Sequence, residues 1–342
     1  MAAGVVVQLL APGLLGPWPQ AVDPGFPLPK TPALRRLLAV ADRGLARPDP
    51  DAALFELFGV PWDPAAGPPV AAVGLLGEGG EPEDGWWLRA DPVHLVPDLQ
   101  RLRLAEPTRL ALLLGEAQLL AQAANQVLAA HGLALTVVAA ERWYLRLGDD
   151  PGLCTRPWAP AVGESAEALL PTGAGAPQWR RMLTEVQMAL HAATANVQRE
   201  ARGLPPVNAI WVWGGGRLPA VAGATPVAAV CGDQPVLRGL ARLFRLPVHP
   251  NLHSDIWLGA GKSQLVARED AAAAAARAGD LAAWVRAVEQ LECRVFQPLL
   301  AALRSGQVAE LNLNPLRGTL FSISRRCLRR FWRADRSLRG YL

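Results

Sequence analysis

Apolar positions recur along the chain with two periods, near two and near 3.6 residues, and the change from one to the other predicts the order of elements. Residues 5–10 form a β-branched run that Pro12-Gly13 ends, so they read as a strand. Helices are expected at 31–43 and 50–59, then short strands at 70–76 and 86–89 across a Gly/Glu loop. Residues 107–131 carry apolar positions at three- and four-residue spacing between Pro107-Thr108 and His131-Gly132, which predicts a helix. Paired strands follow at 133–139 and 142–147. Pro and Gly crowd 151–177, a linker or long loop, and a second long helix is expected over 178–202.

The remainder alternates. A strand at 207–213 runs into Gly214-Gly215-Gly216, and a strand at 226–231 leads to a helix at 234–245. A strand at 263–268 precedes helical sequence over 270–304, broken near Gly279-Asp280, and strands at 308–313 and 318–323 lead to a basic helix at 324–334. This rhythm implies an α/β fold: a mainly parallel sheet flanked by helices. The block 86–150 is expected to be a smaller inserted α+β subdomain, with 1–85 and 151–342 forming the core.

A length of 342 residues suits two domains or one large domain with an insertion. With 51% hydrophobic and 19% charged residues, disordered and fibrous classes are excluded. The net charge of +4 is unevenly spread, because 325–342 holds seven arginines against the single acid Asp335. A near-neutral body therefore carries a basic C-terminal patch. The four cysteines are far apart with no CxxC, which fits reduced thiols and gives no zinc site. No basic region precedes the first apolar run, and no stretch reaches about 18 uninterrupted apolar residues. A cytoplasmic protein without a membrane partner is expected.

Several residues are candidates for chemistry. LGAGKS at 258–263 lacks the first glycine of a phosphate-binding loop and is followed by strand-like sequence, so it is set aside. Gly214, Gly215 and Gly216 follow a strand, where backbone approaches a ligand in an open α/β sheet, or where a plain crossover turn is made. Arg89, Asp91 and His94 close an apolar strand, a place suited to anions, and Arg142 and Arg146 share one face of an alternating strand. Each is equally consistent with a solvated strand face. His249, His253 and Asp255 have metal-ligand chemistry, but Pro250 interrupts the spacing, which favours ordinary loop residues. Arg325, Arg326, Arg329, Arg330 and Arg333 fall at helical spacing with Phe331 and Trp332 between them. That helix either docks on its apolar side or offers a basic face to an anionic small molecule, an acidic protein or a nucleic acid.

Several segments, in order, resemble the archaeal-type cofactor-independent phosphoglycerate mutases of the alkaline phosphatase superfamily. KTPALRRLLAVADRG (30–44) resembles the family's TP…LD…G helix, and PDAALFELFGVPWDP (50–64) its S-D-x-A…LLGYDP segment. WWLRAD (86–91) is similar to the FRCN strand, RWYLRL (142–147) to YRHLL, and 207–244 to the AN-x-ILLRGAG…GLAAV…IRGLA block. The chain also resembles a bacterial subgroup of Rpf-E-type regulatory proteins. The resemblance implies an alkaline phosphatase-like core with an insertion, two divalent metals such as manganese, and a phosphoserine intermediate.

At the positions that carry that chemistry the chain departs from the family. Pro12-Gly13 stands where the family has a metal-binding Asp-Gly, and Pro50 where it has the nucleophilic serine, with Asp51 retained after it. Only Gly279-Asp280 survives of one ligand cluster, and a late Asp-His pair is absent near 312–315. The expectation is a catalytically degenerate, metal-free protein with a binding or regulatory role and Arg89 among its contacts. The alternatives are an active mutase or phosphoester hydrolase that recruits His249, His253, Asp255, Asp91 and His94, or an interaction module built on the C-terminal arginines.

Overall fold

The computed structural model describes residues 4–16, 27–98, 101–105, 107–159, 170–221, 223–259 and 263–341. The chain divides into two compact units, Met1–Val60 with Val221–Leu342, and Pro61–Ala220. The first begins with β1 (Val5–Leu10), α1 (Pro32–Val40), β2 (Asp42–Leu45) and α2 (Pro50–Phe58). The second contains α3 (Val70–Gly77), β3 (Trp86–Val93), β4 (Leu95–Asp98), β5 (Arg101–Leu104), α4 (Leu114–Leu128) and β6 (Leu135–Ala139). It continues with β7 (Arg142–Leu147), α5 (Ala176–Ala192), α6 (Thr194–Ala201) and β8 (Ala209–Gly216). The chain returns to the first unit with β9 (Val227–Cys231), α7 (Pro235–Leu243), β10 (Val248–His249), α8 (Ser254–Gly259) and β11 (Gln264–Arg268). Helices α9 (Ala271–Ala278), α10 (Leu281–Leu291) and α11 (Gln297–Ser305) then precede β12 (Val308–Asn314) and β13 (Thr319–Ser324).

The first unit is built on a seven-stranded sheet in the order β10-β9-β11-β1-β12-β13-β2. Strands β10, β9, β11, β1 and β12 are parallel, and β13 and β2 add an antiparallel edge. The fold is thus mixed α/β with a mainly parallel sheet flanked by helices, as the alternation predicts. β1 lies at the centre because its apolar residues face helices: Val5, Val7 and Leu9 join Leu34, Leu37, Trp284 and Leu299 in one core.

Helix α1 shows how distant sequence completes a local element. Its N-cap, Thr31, makes no side-chain cap bond. Instead the carboxylate of Glu292, only 1% exposed, accepts the Ala33 N–H at 2.7 Å and the Leu34 N–H at 3.0 Å. A negative charge on the free donors of a helix start is favourable both as hydrogen bonds and against the helix dipole. Glu292 opens a π-helical turn, Glu292–Phe296, that joins α10 to α11.

The second unit has an antiparallel sheet, β6-β7-β3-β8, and a hairpin of β4 with β5. One sheet face, including Leu88, Trp143 and Val212, packs on α4 and α5 through Leu120, Ala124 and Val186. On the other face Trp87 and Tyr144 meet Ala71, Ala72 and Leu75 of α3.

Four expectations are corrected. Residues 70–76 form α3 rather than a strand; seven of its eight residues are buried, and an apolar run buried on most sides fits either period. The strand at 207–213 pairs with β3, antiparallel, instead of joining the parallel sheet. The second unit accordingly spans more than 86–150, taking α3 before that block and α5, α6 and β8 after it. Finally, 324–334 is no α-helix: it holds one 3-10 turn, Cys327–Arg329, and the chain beyond it is tied to α1, whose Arg36 side chain donates to the carbonyls of Arg330 and Arg333 at 3.3 and 3.0 Å.

Replacing Glu292 by Ala strands two buried backbone donors, so the Glu292→Ala variant is expected to lose about 1–3 kcal/mol of stability in urea unfolding. A change below about 0.5 kcal/mol would show that solvent caps α1 instead.

Candidate functional site

Strands β1, β9, β10, β11 and β12 all end on one edge of the first unit's sheet, the edge at which open α/β sheets hold ligands. Leu10 is level with Arg268 and Asn314, Ala267 with Cys231, and Cys231 with His249. Helix α2 also starts there. Asp49 caps it by accepting the Ala52 N–H at 2.7 Å, and Pro50 takes the first helical position, where its missing N–H is harmless.

Two arginines neutralise the acids of this edge. Arg268 reaches Asp51 Oδ1 at 3.1 Å through Nη1 and Asp270 Oδ1 at 3.0 Å through Nε. Arg294 donates to Glu269 Oε2 and to Asn251 Oδ1, each at 2.8 Å. Burial pushes the Asp51 and Glu269 carboxyls up, and the neighbouring Arg268 and Arg294 oppose it. Burial, with Glu269 adding to it, also pushes the Cys231 thiol up to about 12, so it is no nucleophile near neutrality. Sequence reasoning missed Arg268, Glu269 and Asp270, although three consecutive charges directly after a buried strand are a readable signal.

The positions that align with family ligands serve other purposes. Gly13, at φ +72°, makes a turn in which a Cβ would lie 2.7 Å from the Ala273 backbone, and its carbonyl accepts the Trp284 indole N–H at 2.7 Å. Asp280 caps α10 through the Ala283 N–H at 2.8 Å. The Asn314 side chain accepts the Leu316 N–H at 2.8 Å and donates to the Arg47 carbonyl at 3.3 Å. These residues do not fit a pair of divalent metals: Pro12 and the Asn314 amide offer no anionic ligand, and the carboxylates of Asp51 and Asp280 are committed to Arg268 and to the start of α10. Among the described residues no group of three or more His, Cys, Asp or Glu side chains is placed to hold a metal. The Asp255 side chain and most of LGAGKS lie outside the described residues.

Arg89 and Asp91 lie on the α3-facing side of the second unit's sheet, buried at 6% and 2% exposure. Arg89 donates to Asp91 Oδ1 through Nε at 3.0 Å and Nη2 at 2.6 Å, and the Trp213 indole donates to Asp91 Oδ2 at 2.8 Å. The guanidinium lies 5.0 Å from the Tyr144 ring centre and 5.4 Å from that of Trp213. Glu78, the C-cap of α3, accepts from both Tyr144 and Arg142. Burial works against the Arg89 charge, but Asp91 outweighs it and the arginine stays protonated. Burial pushes the Asp91 carboxyl up, against the pull of Arg89 and the Trp213 N–H. The group expected to bind an anion is thus closed on itself.

The other candidates of this unit are also engaged. Arg146 pairs with Glu83 at 2.9 Å, and His94 Nδ1 donates to the Pro206 carbonyl at 2.8 Å. Two of the glycines lie against α3, where a Cβ on Gly214, at φ +65°, would approach Val70 to 2.9 Å and one on Gly216 would approach Pro69 to 2.4 Å, and Gly215 lies against Leu88 and Trp86 of β3, each 2.9 Å from where its Cβ would be. Their small size serves helix–strand packing.

The C-terminal arginines divide into two sets. Arg330 holds both Asp42 oxygens, at 2.6 and 3.1 Å, and the Val40 carbonyl at 2.8 Å. Arg333 donates to the Ala41 carbonyl at 2.9 Å. With Arg36 bonding back, the segment clasps the end of α1 and the edge strand β2. Arg325, Arg326 and Arg329 remain exposed, and Phe331 and Trp332 project outward at 84% and 69% exposure rather than docking.

No family model matches the chain, and neither does any curated protein. Among solved structures the chain is similar to the cofactor-independent phosphoglycerate mutase from Thermoplasma acidophilum DSM 1728, at 18% identity and a TM-score of 0.43, over 94% of this chain and 90% of that one. It is also similar to the PH0037 protein from Pyrococcus horikoshii, at 14% identity and a TM-score of 0.51, over 95% of this chain and 88% of that one. The second likeness is one of fold. Among the described residues no helix is long and apolar enough to cross a membrane.

Arg89→Met leaves the Asp91 charge buried without its partner and is expected to cost about 3–5 kcal/mol in chemical unfolding. A loss below about 1 kcal/mol would show that the guanidinium is held for a ligand and not for the fold. Arg330 holds the Asp42 carboxyl below its ordinary value. Its contribution is therefore present above pH ~3.8 and disappears as pH falls through the lowered folded-state value. The urea midpoints of wild type and Arg330→Ala are expected to differ more at pH 5 than near pH 2, where only the hydrogen bond to the Val40 carbonyl still separates them.

Proposed function

We propose that the chain is a catalytically degenerate relative of the archaeal-type cofactor-independent phosphoglycerate mutases, with a binding or regulatory role of the Rpf-E-type in place of phosphate transfer. One observation carries this reading: Pro50 stands in the nucleophile's place at the start of α2, while Arg268 takes up the adjacent Asp51 together with Asp270. A phosphoenzyme needs a side-chain oxygen, and the proline ring has none. A two-metal site needs free anionic ligands, and a permanently charged guanidinium between the nearest carboxylates repels divalent cations. The run of family-like segments supports the kinship, and the fold shared with the Pyrococcus horikoshii protein is compatible with it.

The reading in which the chain is an active phosphoester enzyme requires recruited ligands. Two of those, Asp91 and His94, are already committed to Arg89 with Trp213 and to Pro206. This favours the degenerate reading.

Purified chain supplied in turn with manganese, magnesium and zinc is expected to interconvert no phosphoglycerates and to hydrolyse no aryl phosphate above a chelated control. Elemental analysis is expected to find no stoichiometric metal. Turnover that a chelator abolishes would overturn the proposal, and Pro50→Ser alone is expected to restore none.

A further inference from the structure

We infer that the first unit carries a nucleotide-binding pocket formed by its C-terminal segment and the β2 edge. A cavity of about 590 Å³ is lined by Asp42, Arg43, Trp332, Arg333, Arg336 and Tyr341, among others. That volume suits a small organic ligand. Three arginines line it, and both oxygens of the one lining acid, Asp42, are held by Arg330.

Among the described residues none of the three arginines forms an ion pair, although Arg333 lies near enough to Asp42 to help lower its carboxyl. Arg43 is held in place by aromatic contact, 5.6 Å from the Phe321 ring centre and 5.5 Å from that of Tyr341. Arg333 spends one nitrogen on the Ala41 and Val40 carbonyls. Arg336 lines the cavity and is anchored through its backbone, whose carbonyl accepts from Arg35 at 3.2 Å. Like charges gathered around one cavity repel each other unless an anion joins them, and guanidinium forks match phosphate oxygens.

The second half of the recognition is aromatic. Trp332 lines the same cavity at 69% exposure, held edge-on by Phe331 with ring centres 5.2 Å apart. An exposed indole beside phosphate-seeking arginines is the arrangement on which a nucleobase stacks. Phosphate on the arginines and a base on Trp332 define a nucleotide unit, supplied either as a free nucleotide or as the end of a single-stranded nucleic acid.

Calorimetric titration of the full chain with AMP, inorganic phosphate and a short single-stranded oligonucleotide tests this. AMP is expected to bind more tightly than phosphate. Trp332→Ala is expected to weaken AMP about tenfold while leaving phosphate unchanged, and Arg336→Glu to weaken both by about tenfold or more. Both residues are exposed, so the variants are expected to keep the wild-type circular dichroism. An oligonucleotide affinity far above that of AMP, falling steeply with salt, assigns the ligand to nucleic acid; equal affinities assign it to the free nucleotide, and either supports the pocket. Failure of the wild type to bind AMP or oligonucleotide overturns the proposal, as does unchanged binding by both variants. The result is independent of phosphate transfer, so this inference and the proposed function fail separately.

Discussion

A guanidinium cannot shed its proton at any pH a folded protein tolerates, so each arginine drawn into the interior dictates the groups that must surround it. Arg199 is the extreme case, with no exposure at all. It bonds the Pro205 carbonyl at 3.1 Å and Glu116 at 2.6 Å, with the Leu110 carbonyl completing its set, and so ties α6 to α4 and to the segments beside them. Partial burial pushes the Glu116 carboxyl up, but the Arg202 hydrogen bond, the Leu113 N–H and Arg199 together hold it below its ordinary value. Arg89 does the same work on one side of the second sheet, and Arg268 at the end of the first.

The same constraint shapes what the sheet edge can do. Where parallel strands end, an α/β fold offers backbone turns, helix starts and converging side chains to a ligand. Here the turns are present, yet Arg268 and Arg294 have already met the acids that the strands deliver. Charge that is balanced within the protein has no need of a cation. The clasp on β2 shows a different balance: Arg330 is drawn into carboxylate and main-chain contacts and Arg333 into main-chain contacts, while Arg43 lies against the Phe321 and Tyr341 rings.

Much of the architecture was legible. Strands β1, β7, β9 and β11 follow from β-branched or alternating runs bounded by turn residues, and the alternation of β1, β9 and β11 with amphipathic helices implied the parallel sheet. The glycine triplet was recognised as unusual, but whether it met a ligand or a helix depended on α3, which its own sequence disguised. An apolar octet such as VAAVGLLG fits a buried strand or a buried helix equally well. The C-terminal arginines had helical spacing, but after one 3-10 turn the segment is held by distant partners: Arg36, nearly three hundred residues away in sequence, bonds its carbonyls, and Arg330 and Arg333 reach β2 and the end of α1.

Composition, periodicity and turn residues determined the fold class and the position of most elements, because these depend on what each residue is and on its near neighbours. The tertiary structure alone decided which charges are spent. Asp51 opposite Arg268, Asp91 beneath Trp213, and Glu292 on the start of α1 are pairings between distant segments, and burial makes each of them obligatory. Local sequence records that an arginine is present; only the packed chain records whether its charge has been answered.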